Sequence, residues 1–167
     1  MKIGDTLDFI KIFIRKMTTN HILATVKSEM KAAMVARDKD RLNAIRLVLA
    51  EFKRIEVDER IEVGDERALT ILDKMLKQRK DSLEQYQDAQ REDLAEKERL
   101  EINVIREFLP EPMTPDEIDA LISEAFENIG ESNIQAMGKI MNFLKPKTLG
   151  RADIALVSQL VKSKLTG

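Results

Sequence analysis

The sequence predicts an all-α, multihelical chain: a larger helical region, a proline hinge, and a three-helix bundle running from residue 110 to the C-terminus. Three observations carry this expectation. Apolar residues recur every three or four positions from His21 to Leu165, the spacing that gives a helix one buried face. Only six glycines and four prolines are spread over 167 residues, too few turn residues for a many-stranded sandwich or barrel. Charged residues make up 35% and apolar ones 43%, so long helices can carry both a core face and a solvated face, and the composition is not that of a disordered chain.

Residues 1–16, MKIGDTLDFIKIFIRK, place Ile3, Leu7, Ile10 and Ile14 at near-helical spacing. Asp5, Asp8 and Lys11 interrupt any apolar run of a secretory signal. The stretch is expected to be an appended leader or a mis-set start, with Met17 as the natural initiator and Thr18, Thr19 or Asn20 capping the next helix. That helix carries Ile22, Val26, Met30, Ala33 and Met34 on one stripe and ends in the turn Arg37-Asp38-Lys39-Asp40. A second, with Leu42, Ile45, Leu49 and Phe52, runs out at Val57-Asp58-Glu59-Arg60, and Gly64-Asp65 marks the next break. The third carries Leu69, Leu72, Met75, Leu76, Leu83 and Tyr86 against a densely charged opposite face. The fourth, residues 91–109, has Leu94, Ile102, Ile105 and Leu109 with many acids between them, and reads as a connecting helix only partly packed. Residues 17–109 form the expected N-terminal helical domain and linker helix.

Pro110 and Pro112 cannot continue a helix, and they hand over to a strong start signal. Thr114 is placed as N-cap, Pro115 at N1 and Glu117 at N3, a capping box, with Met113 and Ile118 as hydrophobic staple. Ile118, Leu121, Ile122, Ala125, Phe126 and Ile129 form the apolar face, and Gly130 closes the helix. A helix from Asn133 packs Met137, Ile140, Met141 and Leu144 and is expected to stop at Pro146. The last begins near Arg151 to Asp153 and turns Leu156, Val157, Leu160, Val161 and Leu165 inward.

The inventory of reactive groups is short. Without cysteine there is no disulfide, no thiolate nucleophile and no zinc site of the cysteine type, and the lone His21 cannot build a multi-histidine metal site. His21 itself reads as a cap or surface residue. No glycine-rich phosphate loop and no G-x-S-x-G elbow occurs. Acid pairs such as Glu92-Asp93, Glu96 and Glu98 read as solvated helix surface. No catalytic residue, metal or cofactor is therefore expected. No apolar run approaches the roughly 20 residues of a membrane span, so no membrane partner is expected and the setting is read as cytoplasmic.

Charge distribution carries the functional clue. Residues 110–133 hold seven acids and no base, whereas residues 134–167 hold six bases against Asp153, a net charge of +5. Lys145, Lys147 and Arg151 fall in or beside one turn between two short helices, where they can converge on a phosphate-binding patch with Lys139 and Lys162 nearby. The same residues have a purely structural alternative. Lys145 can satisfy a helix C-terminus, Arg151 can pair with Asp153, and Gly150 can be only a turn residue.

The stretch MGKIMNFLKPKTLGRAD, followed by the apolar stripe to Leu165, closely resembles the C-terminal module of the GatB/YqeY family. KDRLNAIRLVLAEFKRIEVDER, KQRKDSLEQYQDAQREDLAEKE and FLPEPMT resemble the stand-alone YqeY-like members of that family, so the likeness runs from about Met17 to the end. One departure is Ile154, where the pattern has glycine. The resemblance implies two different small helical domains joined by a long, partly helical linker. It also implies kinship with the tRNA-contacting tail of the B subunit of the glutamyl/aspartyl-tRNA amidotransferase, a tail that is not that enzyme's catalytic part.

The expected function is accordingly a tRNA-binding or RNA-binding accessory protein with no catalysis of its own, holding backbone phosphates with Lys139, Lys145, Lys147, Arg151 and Lys162. With 4% aromatic residues and no tryptophan, a base-stacking platform is not expected. The alternatives are a helical protein adaptor that meets an acidic partner through Lys77-Gln78-Arg79-Lys80, or an auxiliary subunit of a carbon–nitrogen ligase using glutamine as amido donor. An amidotransferase or another protein is the corresponding partner.

Overall fold

The computed structural model describes residues 21–166. The expected leader over residues 1–16 and the cap at Thr18, Thr19 or Asn20 lie outside the described residues. Among the described residues every regular element is helical: α1 (His21–Ala36), α2 (Lys39–Glu59), α3 (Asp65–Asp88), α4 (Glu92–Glu107), α5 (Pro115–Ile129), α6 (Met137–Thr148), preceded by a 3-10 turn (Ile134–Ala136), and α7 (Ile154–Thr166). Contacts divide the chain between Leu109 and Pro110 into two compact units.

In the first unit the apolar stripe of α2, Ala44, Ile45, Val48 and Phe52, is fully buried, and α2 packs against α1, α3 and α4. Burying side chains the size of Ile45, Val48 and Phe52 contributes about 1.5–3 kcal/mol each. Val26 and Ala33 of α1, Ala68, Ile71 and Leu72 of α3, and Val104 and Ile105 of α4 complete the core. Glycine is too scarce to end these helices, and Arg37, Arg60 and Gln90 take the left-handed conformation instead, with φ of 57°, 53° and 54°. Asp38 caps α2 by accepting from the Arg41 amide at 3.0 Å. The start of α1 is capped from a distant element, the Ile22 amide donating to Asp65 Oδ1 at 2.8 Å.

Two arginines tie the helices together. Arg41 donates to both carboxylate oxygens of Glu107, at 2.8 and 2.7 Å, and to Glu29 at 2.8 Å, linking α2 to α4 and α1. Arg79 of α3 reaches Glu101 at 3.1 Å and Glu98 at 3.3 Å, two carboxylates of α4 that are almost wholly buried.

This corrects the expectation for residues 91–109. α4 is a core helix sharing an extensive interface with α3, and its acids at Glu98 and Glu101 point at Arg79 rather than at water. Glu98 is therefore not solvated surface, and Arg79 is not a free part of the Lys77–Lys80 face. Met34, placed on the inner stripe by its spacing, is 52% exposed, because Ala33 takes the core position beside it.

In the second unit α5, α6 and α7 share one core of Ile122, Ala125, Ile140, Leu144, Val157 and Val161. The capping box forms as the sequence predicts: Thr114 Oγ1 accepts from the Glu117 amide at 3.2 Å, and Glu117 Oε2 accepts from the Thr114 amide at 2.7 Å. Gly130 ends α5 at φ 68°. Helix α6 does not stop at Pro146 but continues to Thr148. The proline removes only the hydrogen bond to the Asn142 carbonyl, on a face where both residues are exposed. The Thr148 hydroxyl then donates to the Leu144 carbonyl at 3.0 Å.

Ile154 opens α7 and packs on the core, while Asp153 accepts from the Ala155 amide at 2.8 Å. The first turn is thus secure without a glycine there. Leu156 and Leu160 are not inward: they are 47% and 39% exposed, since Val157 and Val161, one position on, occupy the core arc.

Two measurements check the clamps. Arg41→Met is expected to lower stability by at least about 1 kcal/mol, a fall of about 4 °C or more in thermal unfolding; an unchanged midpoint would show that Arg41 holds nothing. Burial, reinforced by Glu98, raises the pKa of Glu101 against the opposing pull of Arg79. The native state then keeps a proton that the unfolded chain has lost, so stability declines as pH rises from about 4.3 through the folded value. Glu101→Gln is expected to flatten that decline, measured by urea unfolding across the interval, and an unaltered profile would assign the decline elsewhere.

Candidate nucleic-acid interface

The five bases expected to hold phosphate all lie in the second unit, on α6, the turn after it, and α7. Lys145 and Lys147 leave the last turn of α6, where the helix dipole favours cations. Arg151 follows in the turn that Gly150 makes at φ 70°.

Three of the five have carboxylate partners inside the unit. Lys139 Nζ lies 2.6 Å from Glu131, and Lys147 Nζ lies 2.7 Å from Glu124 and 4.0 Å from the centroid of the Phe143 ring. Arg151 Nη2 is 3.7 Å from Glu117. A fourth pair, Lys164 with Asp119 at 2.7 Å, joins α7 to α5. Lys145 and Lys162 are exposed, and neither has a partner among the described residues.

The acidic segment 110–133 and the basic segment 134–167 are thus two halves of one surface. Eight acids against six bases leave residues 110–167 with two negative charges overall. Hydrogen bonding to the Thr114 amide, helped by Arg151, lowers the pKa of Glu117, so this partner of Arg151 stays ionised well into acid.

Arg151 has a further structural duty. Its Nε donates to the Glu111 carbonyl at 3.0 Å, and its own carbonyl accepts from the Met113 amide at 2.8 Å. These bonds fasten the segment after the hinge prolines to the α6–α7 turn. Asp153, the partner expected for Arg151 in the structural alternative, caps α7 instead. Sequence spacing says nothing of the carboxylates that α5 and the segment after it bring to these bases, because those pairs are 8 to 45 residues apart.

The ion pairs are not deep. Lys147 and Glu124 are 42% and 49% exposed, and Lys139 and Glu131 are 60% and 41% exposed; pairs of this kind are worth about 0–1 kcal/mol. An anion with several oxygens can therefore take these bases from their carboxylates at small cost. No group of three or more potential metal ligands occurs among the described residues, and no described helix is long and apolar enough to cross a membrane.

The chain, whose regular elements are all helical among the described residues and whose helix α6 ends on Lys145 and Lys147, matches one family model, described as Yqey-like protein, over residues 23–165. The chain belongs to this family. A protein of Pyrenophora tritici-repentis named altered inheritance of mitochondria protein 41, mitochondrial, is 31% identical over 149 residues, 86% of this chain and 80% of that protein. Proteins of the same name from Lachancea thermotolerans and Kluyveromyces lactis are 37% and 35% identical, over 66% and 83% of this chain and 61% and 79% of theirs.

The contrast between shallow ion pairs and a packed core is measurable. Glu124→Gln, which releases Lys147, is expected to change stability by less than about 1 kcal/mol, whereas Ile122→Ala is expected to cost about 2–5 kcal/mol. Urea unfolding of the full chain checks both, and a Glu124 variant as damaged as the Ile122 variant would make the pair a structural lock.

Proposed function

We propose that this YqeY-like protein is an accessory factor that binds RNA, tRNA in particular, by its phosphate backbone and carries out no reaction of its own. The observation that supports this most directly is the cluster at the end of α6: Lys145 without a partner among the described residues, and Lys147 held by an exposed carboxylate and the Phe143 ring. Contacts of this type position an RNA without reading its bases and give salt-dependent affinity. The resemblance to the tRNA-contacting tail of the amidotransferase B subunit points the same way, with the second unit as the family's C-terminal three-helix module. The names of the fungal relatives place those proteins in mitochondria, and an aqueous compartment containing tRNA, cytoplasmic or mitochondrial, meets the requirement.

A second reading, a helical adaptor or an auxiliary subunit of a glutamine-dependent carbon–nitrogen ligase, is favoured by one observation. Leu156 and Leu160 lie one turn apart on α7, 47% and 39% exposed, where they can meet an apolar surface of another protein.

The test of RNA binding leaves Arg151 in place, since it anchors Glu111. Changing Lys145, Lys147 and Lys162 to Ala is expected to make the slope of log affinity against log salt shallower by about two, with tRNA and unrelated RNAs affected alike. A folded triple variant with parental affinity and slope would remove these lysines from the RNA site and favour the adaptor.

A further inference from the structure

We propose that the α1–α2 hairpin carries a second RNA-backbone surface, formed by Lys27, Lys31, Lys39 and Arg46, and that it supplies more of the binding charge than the C-terminal lysines do. The proposal rests on the RNA-binding function given above and places that function on a face which the sequence pattern did not single out.

The starting point is which bases are already neutralised. On the hairpin, Arg41 is taken up by Glu29 and Glu107, Arg54 by Glu51 and Asp58, and Lys53 stands 3.5 Å from Glu56. Lys27, Lys31, Lys39 and Arg46 are exposed, and none has a partner among the described residues. The acids of α1 and α2 are mostly spent: Glu29, Glu51, Glu56, Asp58 and Glu59 are in ion pairs, Asp38 caps α2, and Asp40 alone is exposed and unpaired. In the second unit the balance is reversed, with its bases mostly paired and an overall charge of two negative. On α3 Lys74 interacts with Glu51, and the exposed Lys77 and Lys80 alternate with exposed Asp81 and Glu84, which repel a polyanion.

Helical geometry then places the free bases on one side. Lys27 and Lys31 are one turn apart on α1, and Lys39, Arg46 and Lys53 recur every seven residues on α2, so each set forms a row. The two helices run antiparallel from the turn at Arg37 and Asp38. Leu23, one turn before Lys27, and Lys53, at the end of the α2 row, line the same cleft of about 460 Å³ together with Glu56, Val57, Ile61 and Glu62. The rows therefore flank a common face, along which unpaired positive charge runs from Lys27 and Arg46 to the turn, where Arg37 is also exposed and without a partner among the described residues.

The chemistry of the face selects its partner. Its bases adjoin Ala24, Asn43 and Ala50, with Met34, Val35, Leu47 and Val57 also exposed on the hairpin, and no aromatic residue is exposed there. A protein hot spot is built on aromatic anchors, which this face lacks. A polyphosphate backbone needs only cations that nothing else has neutralised.

The test is tRNA binding by the full chain over a range of salt, comparing the parent, the quadruple variant Lys27→Ala, Lys31→Ala, Lys39→Ala and Arg46→Ala, and the Lys145, Lys147 and Lys162 variant. The four side chains are exposed and have no hydrogen-bond or ion-pair partner among the described residues, so the quadruple variant is expected to keep the parental thermal midpoint. Its affinity is expected to fall more than tenfold at about 0.1 M salt, with a slope shallower by about three, a larger change than the C-terminal variant shows. If the parent binds and the quadruple variant matches it in affinity and slope, the hairpin face is excluded while RNA binding stands. If the parent does not bind tRNA at any salt, RNA binding itself fails. Loss of binding to vesicles of anionic lipid, with tRNA binding unchanged, would assign the face to a membrane surface and also overturn the proposal.

Discussion

The first unit depends on one constraint, the burial of Ala44, Ile45, Val48 and Phe52 along a single stripe of α2. Helix α2 packs against α1, α3 and α4, so its buried stripe contributes to the one core that all four helices share. Because a helix has only one such face, the same geometry sends Lys39, Arg46 and Lys53 to the opposite side. Core packing and the placement of positive charge are in this sense one fact. A change of register in α2 would lose the core and scatter the bases at once.

Charge in this protein has two uses, distinguished by burial. Arg41 and Arg79 are largely covered and bridge helices, Arg79 holding two carboxylates that would otherwise be buried without compensation. Removing such a partner costs more than an exposed pair ever contributes. The pairs of α5 with α6 and α7 are of the other kind: exposed, individually weak, and able to exchange partners. The second unit is therefore held by Ile122, Ile140, Leu144, Val157 and Val161, and its ion pairs set the surface potential more than the stability.

The helices and their order were legible because the apolar spacing is regular and the breaks at Gly64, Pro110 and Gly130 are chemically explicit. The capping box at Thr114 and Glu117 was legible because its whole geometry is local. What could not be read is long-range. Glu98 and Glu101 look like any acids on a charged helix until Arg79 is seen opposite them. The bases at Lys139, Lys147 and Arg151 look free until α5 supplies Glu124 and Glu117 and the segment after it supplies Glu131. Leu156 and Leu160 were misplaced for another reason: five apolar positions on one short helix cover a wider arc than its neighbours can bury. Proline is a stop signal only where the lost hydrogen bond and the ring must be accommodated inside the fold, and Pro146 sits on an exposed face near a helix end.

The central claim is that cations left unneutralised by the fold meet an RNA backbone. The most direct measurement is lysine-selective chemical labelling of the unmodified protein, read residue by residue by mass spectrometry, with and without saturating tRNA. Protection of Lys27, Lys31, Lys39, Lys145 and Lys162, with Lys74, Lys77 and Lys80 labelled equally in both states, is the predicted result. Equal labelling of all these lysines with tRNA bound, or protection confined to the α3 lysines, would contradict the account.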